Sequence, residues 1–209
     1  MYDSFYAIDK EKQIRIINAA MKVFSESPYR KASTADIAAA SGISKGSLFY
    51  YFKNKRDLYC YLYVYSWKKI YEKIDEIEAL KESDFFERNA KIVEARVNTM
   101  LECPHIFDFS LRAYYETDIA VSKEIKAINE RILKDAYVKL NENIDVTKFK
   151  NKEGINRAIK MLVWIGGGFI KEKMAEGKMD LKELQDEIYE YMKILKHGFY
   201  KGGVLSGEN

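Results

Sequence analysis

The chain has 209 residues, 47% of them apolar and 32% charged, with a formal net charge of +3. That is long enough to bury a full core in one or two domains. It holds no apolar run of 18 residues, and its first residues, Met-Tyr-Asp-Ser-Phe-Tyr, lack the basic start and apolar stretch of a secretory signal. With only 2 Pro and 11 Gly, and apolar residues recurring at helical rather than alternating spacing, the chain reads as all-α. Residues 1–56 carry ten Lys/Arg against five Asp/Glu, so the first quarter is basic and the remainder has a balance of −2. Cys60 and Cys103 form no CxxC pair and are expected to be free thiols in a reducing cytoplasm.

The first helix is predicted over 9–26. Asp9 stands as its N-cap and Ile14, Ile17, Met21 and Phe24 form one apolar stripe, with Ser27-Pro28 ending it. Two short helices follow, over 33–40 and 45–51. Thr34, or Ser33 one residue earlier, can cap the first of them. Ala38 allows close approach, Gly42 stands where the chain must turn, and Ser44 is placed to cap the second helix. Ile43 and Leu48 are expected to point into the core, leaving Lys45, Gly46 and Ser47 as the first turn of the second helix. This is the layout of a helix-turn-helix, whose second helix enters the DNA major groove.

Asn54 is the expected cap of a long helix over 55–80, roughly 39 Å from end to end. It leaves a small N-terminal domain (1–56) and enters a larger helical one (57–209). Further helices are expected near 84–102, 105–114, 119–142, 153–175 and 181–201. Ser83, Asp118 and Asp180 are candidate caps, Pro104 and Gly177 mark breaks, Gly154 marks a loop or helix end, and 202–209 is a frayed tail. Gly166-Gly167-Gly168 falls inside one of these helices. Three glycines there cost roughly 1 kcal/mol each against alanine, which close helix approach, a kink or room for a ligand would offset.

Residues 9–60 resemble the N-terminal domain of the tetracycline-repressor (TetR) family of bacterial transcriptional regulators. The matching pieces are Ala-Met-Lys-Val-Phe (20–24), Thr-Ala-Asp-Ile-Ala (34–38), Ser-Gly-Ile-Ser-Lys-Gly-Ser-Leu-Phe-Tyr-Tyr-Phe (41–52) and Lys-Asn-Lys-Arg-Asp-Leu (53–58). The resemblance implies an N-terminal three-helix DNA-binding domain joined by a long helix to a larger helical ligand-binding and dimerisation domain. It implies phosphate contacts by Thr34 and Lys55, base-edge contacts by Lys45, Gly46 and Ser47 at the recognition-helix tip beside Ser44, and base and backbone contacts by Tyr50 and Tyr51. Phe49 departs from the family pattern, where a tyrosine often stands, and has no hydroxyl to offer a phosphate.

One recognition helix reads too few base pairs for specificity, so a dimer on a palindromic operator is expected. The helices near 153–175 and 181–201 are the expected homodimer interface. The remaining helices are expected to enclose a small-molecule effector, hydrophobic or aromatic, among Tyr63, Trp67, Phe107, Tyr114, Tyr115 and Trp164. The expected mechanism is ligand-released repression in the cytoplasm, with a tilt of the long helix spoiling the fit of two recognition helices. No cofactor, metal or membrane is expected. An enzyme is disfavoured by the absence of HExxH, GxSxG, P-loop and GxGxxG patterns and by a weak Cys103-Pro104-His105 cluster. An activator of the same fold, or a helical protein-interaction module, would share much of this pattern.

Overall fold

A computed structural model describes residues 2–103, 105–176 and 180–202. Among the described residues ten α-helices run in chain order: α1 (Asp3–Tyr6), α2 (Lys10–Glu26), α3 (Thr34–Ser41), α4 (Lys45–Tyr51), α5 (Lys55–Glu76), α6 (Phe85–Glu102), α7 (Ile106–Tyr114), α8 (Ser122–Asn141), α9 (Gly154–Glu176) and α10 (Leu181–Phe199). Single 3-10 turns occupy Ala79–Lys81 and Val146–Lys148. Among the described residues the sole β-pairing is one isolated antiparallel bridge, Phe149 with Tyr200. Pro104, Gly177 and all but the first residue of the 202–209 tail lie outside the described residues.

The chain divides into two compact units, 1–72 with 99–138 and 73–98 with 139–209. These units differ from the two domains, 1–56 and 57–209, expected from the sequence. In the first unit, α2 buries Gln13, Ile16, Ile17, Ala20, Met21 and Phe24. Ile14, placed on the stripe by sequence, is 52% exposed. The buried face is centred on Ile16 and Ile17, where 3.6-residue spacing runs through 13, 16, 17, 20, 21 and 24. Phe5 of α1 is fully buried in the same core, against Tyr51, Phe52 and Tyr61. The α7 helix is tied to the end of α2: Arg112 Nε donates to the Ser25 carbonyl at 2.9 Å, and the Tyr29 N–H donates to Glu116 Oε2 at 3.0 Å.

Helix α5 stops at Glu76, four residues short of the predicted end, because Glu78 takes a left-handed conformation (φ 53°) and the chain turns there. Asn54 does cap its start, accepting from the Asp57 N–H at 2.9 Å. In the second unit Asp84, rather than Ser83, caps α6: its Oδ1 accepts from the N–H groups of Phe86 and Glu87. The same carboxylate accepts from Tyr200 Oη at 3.1 Å and pairs with Lys148 Nζ at 2.9 Å. Asp118 holds the turn before α8, accepting from the Ala120 N–H, and that helix starts only at Ser122. Asp180 caps α10 as expected. Phe85, Phe86, Phe149, Met192, Leu195 and Tyr200 make the core of this unit. Buried Arg88 closes the end of α8 by donating to the carbonyls of Leu140 (3.1 Å) and Glu142 (2.6 Å).

Candidate nucleic-acid interface

The α3–turn–α4 segment is closed by local hydrogen bonds. Ser33, not Thr34, caps α3 by accepting from the Asp36 N–H at 3.2 Å, and Thr34 becomes the first helical residue. Gly42 ends α3 in the left-handed region (φ 67°, ψ 34°), where an L side chain is strained. The Ile43 N–H then returns to the Ala38 carbonyl at 3.0 Å. Ser44 caps α4 by accepting from the Ser47 N–H at 3.0 Å, and the two hydroxyls lie 2.9 Å apart. Arg15 of α2 donates to the Ser41 carbonyl at 2.9 Å, which fastens the turn to the first helix.

This geometry sorts the residues of α4 by face. Leu48 and Phe52 are buried at 1% exposure, and Ile37 and Ala38 meet them from the α2–α3 side of the same core. Ser44, Lys45, Gly46, Phe49 and Tyr50 are exposed and Ser47 is half-exposed. A Cβ on Gly46 would meet only Ser44 Oγ, at an ordinary 3.7 Å, so nothing within the chain demands glycine there. Lys45 holds its ammonium 5.9 Å from the Phe49 ring, so Phe49 supports a cation instead of offering a hydroxyl.

The two adjacent tyrosines separate. Tyr50 is 74% exposed. Tyr51 is buried, its ring packed on Phe5 at 5.9 Å and beneath the Lys12 ammonium at 5.8 Å. Lys55 lies 4.7 Å over the Tyr29 ring and donates to the Arg30 carbonyl at 3.3 Å. Partial burial lowers its pKa, with Asp118 acting in the opposite sense. Helix α1, which sequence reasoning missed, braces the recognition helix through Ser4 Oγ donating to the Tyr50 carbonyl at 3.3 Å. Tyr2 donates to Asp57 Oδ1 at 3.1 Å. The closely spaced aromatics Tyr2, Phe5 and Tyr6 were the signal available for it.

The six residues assigned to an effector site fall less tightly together. Tyr63 is buried, donates to Asn129 Oδ1 at 3.2 Å, and lies near Trp67 and Tyr114. Phe107 is half-buried. Tyr114 and Tyr115 are each 50% exposed, with ring centroids 5.0 Å apart. Trp164 belongs to the other unit and is 72% exposed. The buried polar atoms Tyr59 Oη and Ser110 Oγ, on α5 and α7, have no hydrogen-bond partner among the described residues. Burial pushes the Tyr59 phenol well above its usual range, with Glu116 adding to the effect. Ser110 carries no signal in the sequence, because its unmet hydrogen bond exists only in the folded chain.

Comparison with known proteins places this geometry. Residues 16–62 match the profile of the family described as bacterial regulatory proteins, tetR family. The fatty acid metabolism regulator protein of Bacillus subtilis (strain 168) is 24% identical over 192 residues, 88% of this chain and 94% of that protein. The structure of the TetR family regulator PfmR from Thermus thermophilus superposes with a TM-score of 0.63 at 20% identity, covering 87% of this chain and 96% of that one. The fatty acid degradation regulator FadR from Bacillus halodurans gives a TM-score of 0.62 at 19% identity, over 91% and 98%. The profile match spans the helix-turn-helix, and the fold likeness extends over most of the chain. The protein is therefore a DNA-binding transcriptional regulator whose residues 16–62 match the tetR family.

Proposed function

We propose that this protein is a dimeric repressor that leaves a palindromic operator when a fatty-acid-derived effector binds, and that it works in the cytoplasm without catalysis. The surface of α4 carries the reading. Its buried face is fully used by the core, while the side chains of Lys45 and Tyr50, with Gly46 and the half-exposed Ser47, lie on the outward face. With Thr34, Ser44 and Lys55 they make a patch able to meet phosphates and base edges. Tyr51 reaches DNA only through its rim, since its ring is packed inside. The division at 56/57 is thus one of roles, with 57–209 serving dimerisation and effector binding.

The dimer reading rests on α9 and α10. Val163 (65% exposed) and Trp164 (72%) stand one helical turn before Gly167 and Gly168, on the same outward face of α9. Ile194 of α10 is 61% exposed. A Cβ at any of Gly166, Gly167 or Gly168 would meet nothing within 4 Å in the chain itself. Glycines with free space, beside exposed apolar side chains, suit the close approach of a second copy. The effector reading rests on the unpaired buried groups of α5 and α7, each costing about 1–3 kcal/mol without a partner. Two similar proteins whose names refer to fatty acids suggest the chemical class.

The test is to select operator DNA from a random pool and titrate binding with a chain-length series of fatty acids and their thioesters. Salt-dependent binding that one of them weakens, by a factor of order 5–150, is expected. Binding indifferent to the whole series removes the effector class; no salt-dependent binding removes the interface.

A further inference from the structure

A second site lies away from those aromatic residues. Within the first unit, α1, α2 and α5, with Ile128 of α8, line an open-sided cavity of about 420 Å³, within the range of small-molecule sites. None of the six residues assigned to the effector lines it. Its wall is tyrosine: the Tyr2 and Tyr61 rings meet at 4.8 Å, nearly edge to face, and Tyr61 and Tyr65 stack at 6.2 Å. Tyr6, Ile14 and Val64 also line it, and they are 53%, 52% and 40% exposed. These apolar groups come from three different helices and face the same space.

The rim is cationic. Lys10, Lys68 and Lys69 line the cavity with one carboxylate, Glu72. Glu72 is shared, 2.8 Å from Lys69 Nζ and 3.7 Å from Lys68 Nζ. Lys10 has no ion pair among the described residues. The hydrogen bond from Lys69 lowers the Glu72 pKa and raises that of Lys69, so both are charged at neutral pH. Three ammonium groups against one carboxylate leave an excess positive charge beside a flat aromatic wall. Cys60 also lines the site, but burial pushes its thiol up to about 11 and keeps it neutral.

We propose that this cavity binds a small aromatic acid, with its rings against the tyrosines and its single carboxylate or sulfonate at the lysine rim. The proposal does not depend on the fatty-acid effector. Its position has a consequence: α1 and α2 are fastened to the helix-turn-helix through Ser4–Tyr50 and Arg15–Ser41, so an occupant there braces that block against α5.

Anilinonaphthalene sulfonate and phenylnaphthylamine, which share their rings but not the anion, test the idea by fluorescence titration of the full chain. The sulfonate is expected to bind at least about tenfold more tightly than the neutral probe, and more weakly as salt rises. The double variant Lys68→Glu/Lys69→Glu should lose about tenfold or more of that affinity, and Val64→Trp, which fills the cavity, should remove it. Circular dichroism confirms folding, and Ile14→Trp fills the space from the opposite helix if Val64→Trp does not fold. Equal affinity for the two probes, or wild-type sulfonate affinity in the folded lysine variant and a folded tryptophan variant, overturns the proposal.

Discussion

The two ends of the chain expose different things. In α3–α4 the core takes Ile37, Ala38 and Leu48, and what remains outside is a cation over the partly exposed Phe49 ring, a glycine, small side chains, hydroxyls and one exposed tyrosine. In α9–α10 the inner face is equally well packed, yet Val163, Trp164 and Ile194 stay in solvent. A polar, cationic face suits a hydrated polyanion, whereas a surplus apolar face suits a second protein surface. The same helical architecture thus leaves two kinds of exposed surface, told apart by what the core leaves over.

The contrast fails most visibly if the α9–α10 surface is not an interface. Trp164→Glu with Ile194→Glu should give monomers by sedimentation and reduce operator affinity by on the order of a hundredfold or more, as two-site engagement is lost. A dimer of wild-type stability would break the comparison. The adjacent tyrosines sharpen it at the other end. Tyr51→Ala should destabilise the fold by about 3 kcal/mol in denaturant titration, the cost of a vacated buried aromatic site. Tyr50→Ala should leave stability unchanged and weaken operator binding by about 1–2 kcal/mol. Reversed outcomes would exchange their roles. Lys55→Ala should weaken binding on every sequence alike and reduce the slope of log affinity against log salt by about one unit. An effect confined to one base pair would contradict a phosphate role.

The smallest effect concerns acid. Burial pushes the Asp84 carboxyl up, but Lys148, the N–H of Glu87, Lys196 and Tyr200 together draw it below the ordinary carboxylate value. A lowered folded pKa means that this stabilisation is complete above about pH 4 and is lost as pH falls through the folded value. Thermal midpoints of wild type should therefore decline below about pH 4, and Asp84→Asn should flatten that decline. An unchanged slope would place the acid sensitivity elsewhere.

The helix-turn-helix was legible because each of its features is local. Gly42 and Ser44 act on residues within five positions, and the span of α4 could be read from the cap and the apolar pair Ile43 and Leu48 alone. Ser44 capping and the burial of Leu48 follow from the same rules. Legibility falls where the deciding contact is distant. Tyr50 and Tyr51 are indistinguishable in sequence; Phe5, 46 positions upstream, determines which one is buried. Ile14 looked like core because it stands three residues before Ile17, but the buried face continues through Gln13 and Ile16 instead. The α5 terminus moved because Glu78 adopts a left-handed turn without a glycine to announce it. The tyrosine cavity gathers residues from helices far apart in the chain, and no motif records it.

The link between α7 and the end of α2 bears on how such regulators can be recombined. Exchanging residues 1–56 between relatives to give a sensor a new operator would cut both Arg112–Ser25 and Glu116–Tyr29. Both bonds join a side chain at 112 or 116 to a headpiece backbone group, so a transplanted headpiece keeps them only where the recipient carries a donor at 112 and an acceptor at 116. Where it does not, a working chimaera must carry 106–116 along with the headpiece. The inheritable module is consequently discontinuous in sequence, and crossovers at a single point near 56 should give folded but poorly coupled hybrids.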